Sequence, residues 1–147
     1  MNLEVLFIKA EQTIDLRSRI LRPGQDAEKC RYAEDNFATS FHLGISVNNR
    51  IVSNGTFMIQ PSPHFAEARL VYRLRGMATE PEFQQKGLGR EIIRAAEAEL
   101  LRRGCDLLWF NARTSAEIFY RKLGYSTIEE IFEIESIGPH KVMYKKF

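Results

Sequence analysis

A mixed sheet with helices packed on its faces, an α/β (α+β) layered domain, is predicted by three features of the chain. Strand-like and helix-like stretches alternate from one end to the other. The clearest helix, Leu88–Arg103, is entered from a long strand through a glycine-bearing turn. Soon after it, Leu107, Leu108, Trp109 and Phe110 form an almost unbroken apolar run, the mark of a central strand covered on both faces.

Taken in order, Leu3–Ile8 reads as a first strand and Glu11–Leu21 as a helix. Ile14, Ile20 and Leu21 give that helix an apolar side, and Pro23-Gly24 stops it. Gln25–Thr39 is polar and holds either a short second helix around Ala27–Arg31 or a loop. Phe41, Leu43, Ile45 and Val47 alternate with His42, Gly44 and Ser46; Asn48-Asn49 is a turn, and Arg50–Ile59 returns as the partner strand of a hairpin. Pro61-Ser-Pro63 breaks the run before a long strand, Ala68–Thr79, with Leu70, Tyr72, Leu74 and Gly76 on one face.

Leu88, Ile92, Ala95, Ala96 and Leu100 recur at helical spacing. Arg102 and Arg103 complement the helix dipole in the last turn, and Gly104 ends it. Asp106–Asn111 is the apolar strand. Thr114-Ser-Ala-Glu117 reads as a capping box opening a helix to Leu123 and Gly124. Two final strands, Tyr125–Ile134 and Lys141–Phe147, flank a loop over Ser136–His140. No stretch resembles an interdomain linker, so a single domain over 1–147 is expected.

Composition narrows the function. With 147 residues, 44% of them hydrophobic, the chain has material for one core. A net charge of +2 with dispersed basic residues argues against a nucleic-acid binder. No apolar run is long enough to span a bilayer, and the opening MNLEVLFIKAEQTIDL lacks the basic flank of a signal peptide, so a cytoplasmic protein is expected. Cys30 and Cys105 follow no metal-ligand spacing, and neither they nor the scattered histidines suggest a metal site; two free thiols are expected.

The segment Gln84-Gln85-Lys86-Gly87-Leu88-Gly89-Arg90 lies between a strand and the best helix. A helix start exposes unpaired N–H groups and partial positive charge, natural partners for phosphate oxygens. Glycines at 87 and 89 let a bulky anion approach the backbone, and Lys86 and Arg90 add charge at the rim. The pattern is neither GxxxxGK[ST] nor GxGxxG, since Ile92 stands where the latter needs glycine. It matches [QR]xxGx[GA]; a glycine-rich turn without ligand is the alternative.

Here the chain resembles the GNAT superfamily of N-acetyltransferases, in which this loop holds the pyrophosphate of coenzyme A through backbone amides. The resemblance implies that the strand ending Arg75-Gly-Met77-Ala78-Thr79 offers Met77 and Thr79 backbone groups to the pantetheine arm. The stretch Asn111-Ala-Arg-Thr-Ser-Ala116-Glu-Ile-Phe119-Tyr120-Arg-Lys-Leu123-Gly124-Tyr125 is similar to the family's second signature: an Asn ends a strand, and a helix bearing AxxFYxxxGF packs beside the cofactor. Here Tyr125 replaces the final Phe. The resemblance spans roughly residues 70 to 147; Leu21–Gly24 and Ser40–Gly44 are more weakly similar to bacterial members without an assigned substrate. It implies a central, mostly antiparallel twisted sheet of about seven strands with about four helices. It also implies acetyl-coenzyme A as co-substrate and direct attack by the amine in a ternary complex.

Acetyl transfer to an amine requires a deprotonated nucleophile, a stabilised oxyanion and relief of charge on the leaving thiolate. Tyr120 is the candidate for the third task, since a phenol with pKa near about 10 can donate to a sulfur whose thiol pKa is roughly 8.5. Ala116 and Tyr120 share a helix face. Spacing alone leaves core packing open for Tyr120. The N–H of Met77 or a neighbour is the candidate oxyanion donor, because Gly76 in mid-strand suits a bulge that frees it.

No general base is singled out. His42 should face away from Phe41 and Leu43, His140 lies in the last hairpin loop with Glu133 and Glu135 before it, and a water relay is equally open. Arg73 and Arg75 share a strand face and suit either an anionic part of a substrate or pairing with Glu67 or Glu80. The expected acceptor is a small metabolite amine, then an aminoglycoside-like compound, then a protein N-terminus or lysine. A homodimer through sheet edges is compatible with the pattern. The competing class is an acyl-coenzyme A-binding sensor with this fold and no turnover.

Overall fold

The computed structural model describes residues 3–147; Met1 and Asn2, which open the stretch read as lacking a leader, lie outside them. One sheet runs through the chain in the order β1 (Val5–Ile8), β2 (Phe41–Val47), β3 (Arg50–Ile59), β4 (Val71–Thr79), β5 (Leu107–Arg113), β8 (Gly138–Lys146), β6 (Ser126–Thr127), with β7 (Phe132–Ile134) also paired to β8. Every pairing is antiparallel except β4 with β5. The sheet has eight strands where about seven are expected, because Tyr125–Ile134 is interrupted: Ser126–Thr127 and Phe132–Ile134 pair separately with β8.

The period-2 pattern of β2 and β3 sorts side chains between two faces. Phe41, Leu43, Ile45 and Phe57 join Leu74, Phe110 and the inner side of α2 (Leu88–Arg102), where Leu88, Ile92, Ile93, Ala96 and Leu100 are buried. This main core also takes Tyr120 and Leu123 from α3 (Glu117–Lys122) and its end. On the other face His42 and Thr56 turn toward the first helical segment, and Val71, Leu107, Trp109 and Val142 form a smaller cluster. Leu107–Phe110 is buried throughout, as expected of a central strand.

The first helical segment departs from an ordinary α-helix. It has a tight 3-10 turn over Ala10–Thr13, one α turn over Ile14–Leu16 (α1) and a π turn over Arg17–Leu21, closed by an Arg22 N–H donating to the Arg17 carbonyl at 3.1 Å. An i→i+5 turn holds one residue more than an α turn, so the helical phase slips. The buried side is therefore Thr13, Ile14, Leu16 and Arg17, whereas Ile20 and Leu21 are half-buried. The stretch expected to hold a short second helix around Ala27–Arg31 or a loop forms a single 3-10 turn, Ala27–Cys30, capped by Asp26, whose carboxylate accepts from the Glu28 N–H at 3.1 Å.

Two other expectations change. The Thr114–Glu117 capping box does not form: Thr114–Ala116 is a 3-10 turn without a side-chain cap, and the Glu117 carboxylate is held instead by Arg121 at 2.6 Å and Lys141 at 2.9 Å. The last strand begins earlier than expected, at Gly138, which puts His140 in β8 opposite Arg113 instead of in a loop. Gly138 at φ 119° and Ser136 at φ 67° make the hairpin turn tight enough for this.

Candidate active site

The parallel strands β4 and β5 pair only over Val71–Arg73 against Leu107–Trp109. Beyond that they diverge, and a cleft of about 590 Å³ opens between Leu74–Met77 and Phe110–Arg113. Because the opening passes through the sheet, groups from both faces reach it: Ala116 and Tyr120 from the main-core side, Arg17, Arg73, Arg75 and His140 from the other.

The bulge expected at Gly76 is present. Asn54 pairs with Ala78 and Thr56 with Arg75, so the single residue Gly55 faces both Gly76 and Met77. Gly76 has φ 68°, and the Asn54 amide donates to its carbonyl at 3.0 Å, which anchors the distortion. A Cβ on Gly76 would lie 3.0 Å from Arg17 Nε and 3.3 Å from the Tyr32 hydroxyl, so glycine is required for space as well as for backbone angle. The Met77 methyl group packs over Gly55, and Met77 is among the residues lining the cleft. Ala78 is buried; Thr79 is tied to β3 through Ser53 (2.8 Å between hydroxyls), and its carbonyl accepts from the Gln84 amide at 3.1 Å. Gln84 therefore anchors the loop that follows.

That loop is exposed and shaped by two left-handed residues, Gln85 at φ 60° and Gly87 at φ 89°. Gly87 is the N-cap of the 15-residue α2, no side chain caps that end, and a Cβ built on Gly87 would meet nothing within 4 Å. The first-turn N–H groups thus open onto free space, with Lys86 and Arg90 exposed beside them. Gly89 lies against the Phe119 ring, 3.4 Å from where its Cβ would stand, so α2 and α3 approach closely there. Leu88 points inward, 1% exposed, and only its backbone faces the loop. These features fit a diphosphate: open backbone donors, positive charge and no side chain in the way.

Tyr120 is buried in α3, with its ring 4.4 Å from that of Phe110 and 4.9 Å from that of Phe119. Burial raises its phenol pKa above the ordinary value, so the hydroxyl keeps its proton, and Tyr120 lines the cleft. His140 is buried too. Its Nδ1 lies 2.8 Å from the Gly138 carbonyl, an obligate acceptor, so Nδ1 donates there and Nε2 is the ring nitrogen outside that bond. Asn111 and Ala116 line the cleft, while Phe119 lies outside it against Gly89.

His42 is not brought to the cleft. Its Nε2 lies 2.9 Å from the Asp35 carbonyl and its Nδ1 2.8 Å from Thr56 Oγ1, inside a polar cluster built on Arg17. The Arg17 guanidinium, 1% exposed, donates to both Asp35 oxygens at 2.8 and 2.7 Å, to Thr56 at 2.7 Å and to the Cys30 carbonyl at 3.0 Å. It also lies 3.9 Å from the Tyr32 ring centre, and Arg75 stacks on that ring at the same distance. Sequence reading missed Arg17, Tyr32 and Asp35; the only local signal was a charged residue on the inner side of an otherwise apolar helical pattern. Arg73 and Arg75 both line the cleft and pair with neither Glu67 nor Glu80; the Glu80 carboxylate is held by Arg19 at 2.7 Å.

The comparisons agree with this geometry. The family model described as "Acetyltransferase (GNAT) domain" matches residues 34–127. An uncharacterized N-acetyltransferase of Bacillus subtilis (strain 168), YitI, is 43% identical over 97% of this chain and 95% of its own length. The chain belongs to the GNAT acetyltransferase family. Among solved structures, this GNAT fold matches ElaA of Escherichia coli at TM-score 0.75 and 14% identity, covering 99% of this chain and 100% of that one. It also matches an aminoglycoside 6'-N-acetyltransferase complexed with coenzyme A at TM-score 0.74 and 13% identity, over 97% and 96% of the two chains. At such identities the likeness is one of fold.

Proposed function

We propose that residues 1–147 act as one catalytic domain that moves the acetyl group of acetyl-coenzyme A to a primary amine of a small molecule, by direct attack in a ternary complex. The observation that carries this reading is the divergence of β4 from β5 beside an uncapped helix start. A diphosphate seated on the α2 amides between Gln85 and Arg90 would send its pantetheine arm along the Gly76–Thr79 edge into the cleft, toward Tyr120.

When bound, the co-substrate supplies an activated thioester carbonyl. Backbone donors of the bulge at Gly76–Met77 stabilise the oxygen that gains charge. Tyr120, kept protonated by burial, donates a hydrogen bond to the departing sulfur; its raised pKa favours charge relief over complete proton transfer. His140, oriented by its Nδ1 hydrogen bond to Gly138 so that Nε2 is left outside that bond, serves the amine side, directly or through water. His42, bonded at both nitrogens, serves the structure instead.

The test is Tyr120→Phe. It keeps the ring packing and removes the hydroxyl, so acetyl-coenzyme A affinity stays unchanged by calorimetry while kcat falls by about 10²-fold. Unchanged kcat would remove Tyr120 from the mechanism. Tight cofactor binding with no acetylation across a broad amine panel would favour a non-catalytic acyl-coenzyme A-binding module.

A further inference from the structure

The charge lining the cleft is one-sided. Arg17 and Arg31 are neutralised by carboxylates, but among the described residues no carboxylate lies within ion-pair distance of Arg22, Lys29, Arg73, Arg75 or Arg113. Glu34 is the acid among the lining residues. The pair on β4 is the most constrained. Arg73 has its guanidinium 4.7 Å over the Trp109 ring and one nitrogen donating to Gln60 Oε1 at 3.3 Å, while its Nε is buried without a partner. The Arg75 guanidinium carbon lies 3.9 Å from the centre of the Tyr32 ring, itself fixed by the Arg17 cluster. Two like charges held near one another without a counter-ion are unfavourable, and burial followed by the charge of Arg75 pulls the Arg73 pKa down to about 10. The arrangement becomes favourable once an anion enters.

The location separates this anion from the diphosphate. Arg73 and Arg75 precede the bulge, where β4 begins to part from β5, on the sheet face shared with Trp109 and the first helical segment. The exposed α2 start lies beyond the other end of β4. Resting on the acetyltransferase reading above, we propose that the acceptor is a small amine that also carries a carboxylate, such as a free amino acid, and that Arg73 and Arg75 hold that carboxylate and set specificity. Paired guanidinium forks match the planar, two-oxygen geometry of a carboxylate.

The experiment compares matched sets: free amino acids, their carboxamides and the corresponding decarboxylated amines, each with saturating acetyl-coenzyme A and the full chain. The carboxylate member is expected to have a kcat/KM about 10- to 100-fold higher. Arg75→Gln and Arg73→Gln are expected to bring that ratio toward one while acetyl-coenzyme A affinity holds. Arg75→Gln keeps the test usable if loss of the half-buried Arg73 impairs folding. A second readout needs no turnover: N-acetyl amino acids should raise Tm more than their carboxamides do. Equal kcat/KM across the sets, with turnover intact, overturns the carboxylate subsite and leaves the acetyltransferase reading standing. So does loss of acetyl-coenzyme A affinity in both variants with the ratio unchanged, which would assign the arginines to the cofactor. Carboxylate-selective Tm shifts without turnover would support the subsite and count against the enzyme reading.

Discussion

Tyr120 and His42 are both buried and hydrogen-bond-capable, and their surroundings differ. The Tyr120 ring is clamped by Phe110 and Phe119, and the residue lines the cleft. His42 has both nitrogens occupied within the Arg17 cluster, and burial pushes its pKa below the ordinary histidine value. The unfolded chain therefore takes up that proton before the folded one does. The His42 contribution to stability is complete above the unfolded value of about 6.5 and is lost as pH falls below it. Asp35 adds a later loss. Burial raises its carboxyl pKa, but the Arg17 hydrogen bonds, the Tyr32 N–H and the Arg17 charge outweigh that, so the net shift is downward. Its contribution persists until pH falls below the ordinary carboxylate range. Tm should accordingly decline between pH 7 and 5 in the parent protein, and a His42→Gln variant, unable to protonate, should lose that slope whatever its absolute Tm. An unchanged slope would remove His42 as its source.

At the scale of elements, the β4 bulge ties the proposed chemistry to stability. Gly76 holds a left-handed backbone under Arg17 and Tyr32, so Gly76→Ala should destabilise the fold by about 1–2 kcal/mol in denaturant unfolding and lower kcat by shifting Met77. A neutral effect on both would mean the bulge tolerates a side chain. The elements also differ in how legible they were. The hairpin, β5, α2 and the Gln84–Arg90 loop follow from local pattern and turn chemistry, and they stand where expected. Gly76 signalled its bulge because a mid-strand glycine has few other uses. The π turn was hidden, because an inserted residue changes phase without changing composition. The capping box failed because Lys141, remote in sequence, together with Arg121 claims Glu117. His140 shifted into β8 because Ser136 and Gly138 make a tighter turn than the loop expected over Ser136–His140.

Across the whole molecule, the informative features are long-range pairings that no window of sequence contains. Arg17 meets Asp35, Thr56 and Tyr32; Arg73 meets Trp109; Tyr120 and His140, from opposite faces, come to one cleft. The net charge of +2 conceals an uneven distribution: Arg17 and Arg31 are paired with carboxylates, while among the described residues Arg22, Lys29, Arg73, Arg75 and Arg113 line the cleft without one. The signature motifs were legible because they encode backbone geometry at the proposed cofactor side. The proposed acceptor side is assembled from the first helical segment, the 3-10 region and the last hairpin, whose residues acquire meaning only when brought together.

The central claim is that the α2 start grips a diphosphate and thereby directs a thioester toward Tyr120. The most direct measurement is a calorimetric titration of the full chain with acetyl-coenzyme A and, in parallel, with S-acetylpantetheine, which has the thioester and arm but no diphosphate. The account predicts saturable binding of acetyl-coenzyme A at one site and at least about 100-fold weaker binding of the truncated compound, since several charge-assisted backbone hydrogen bonds are lost. Equal affinity for the two, or no binding of acetyl-coenzyme A, would contradict it.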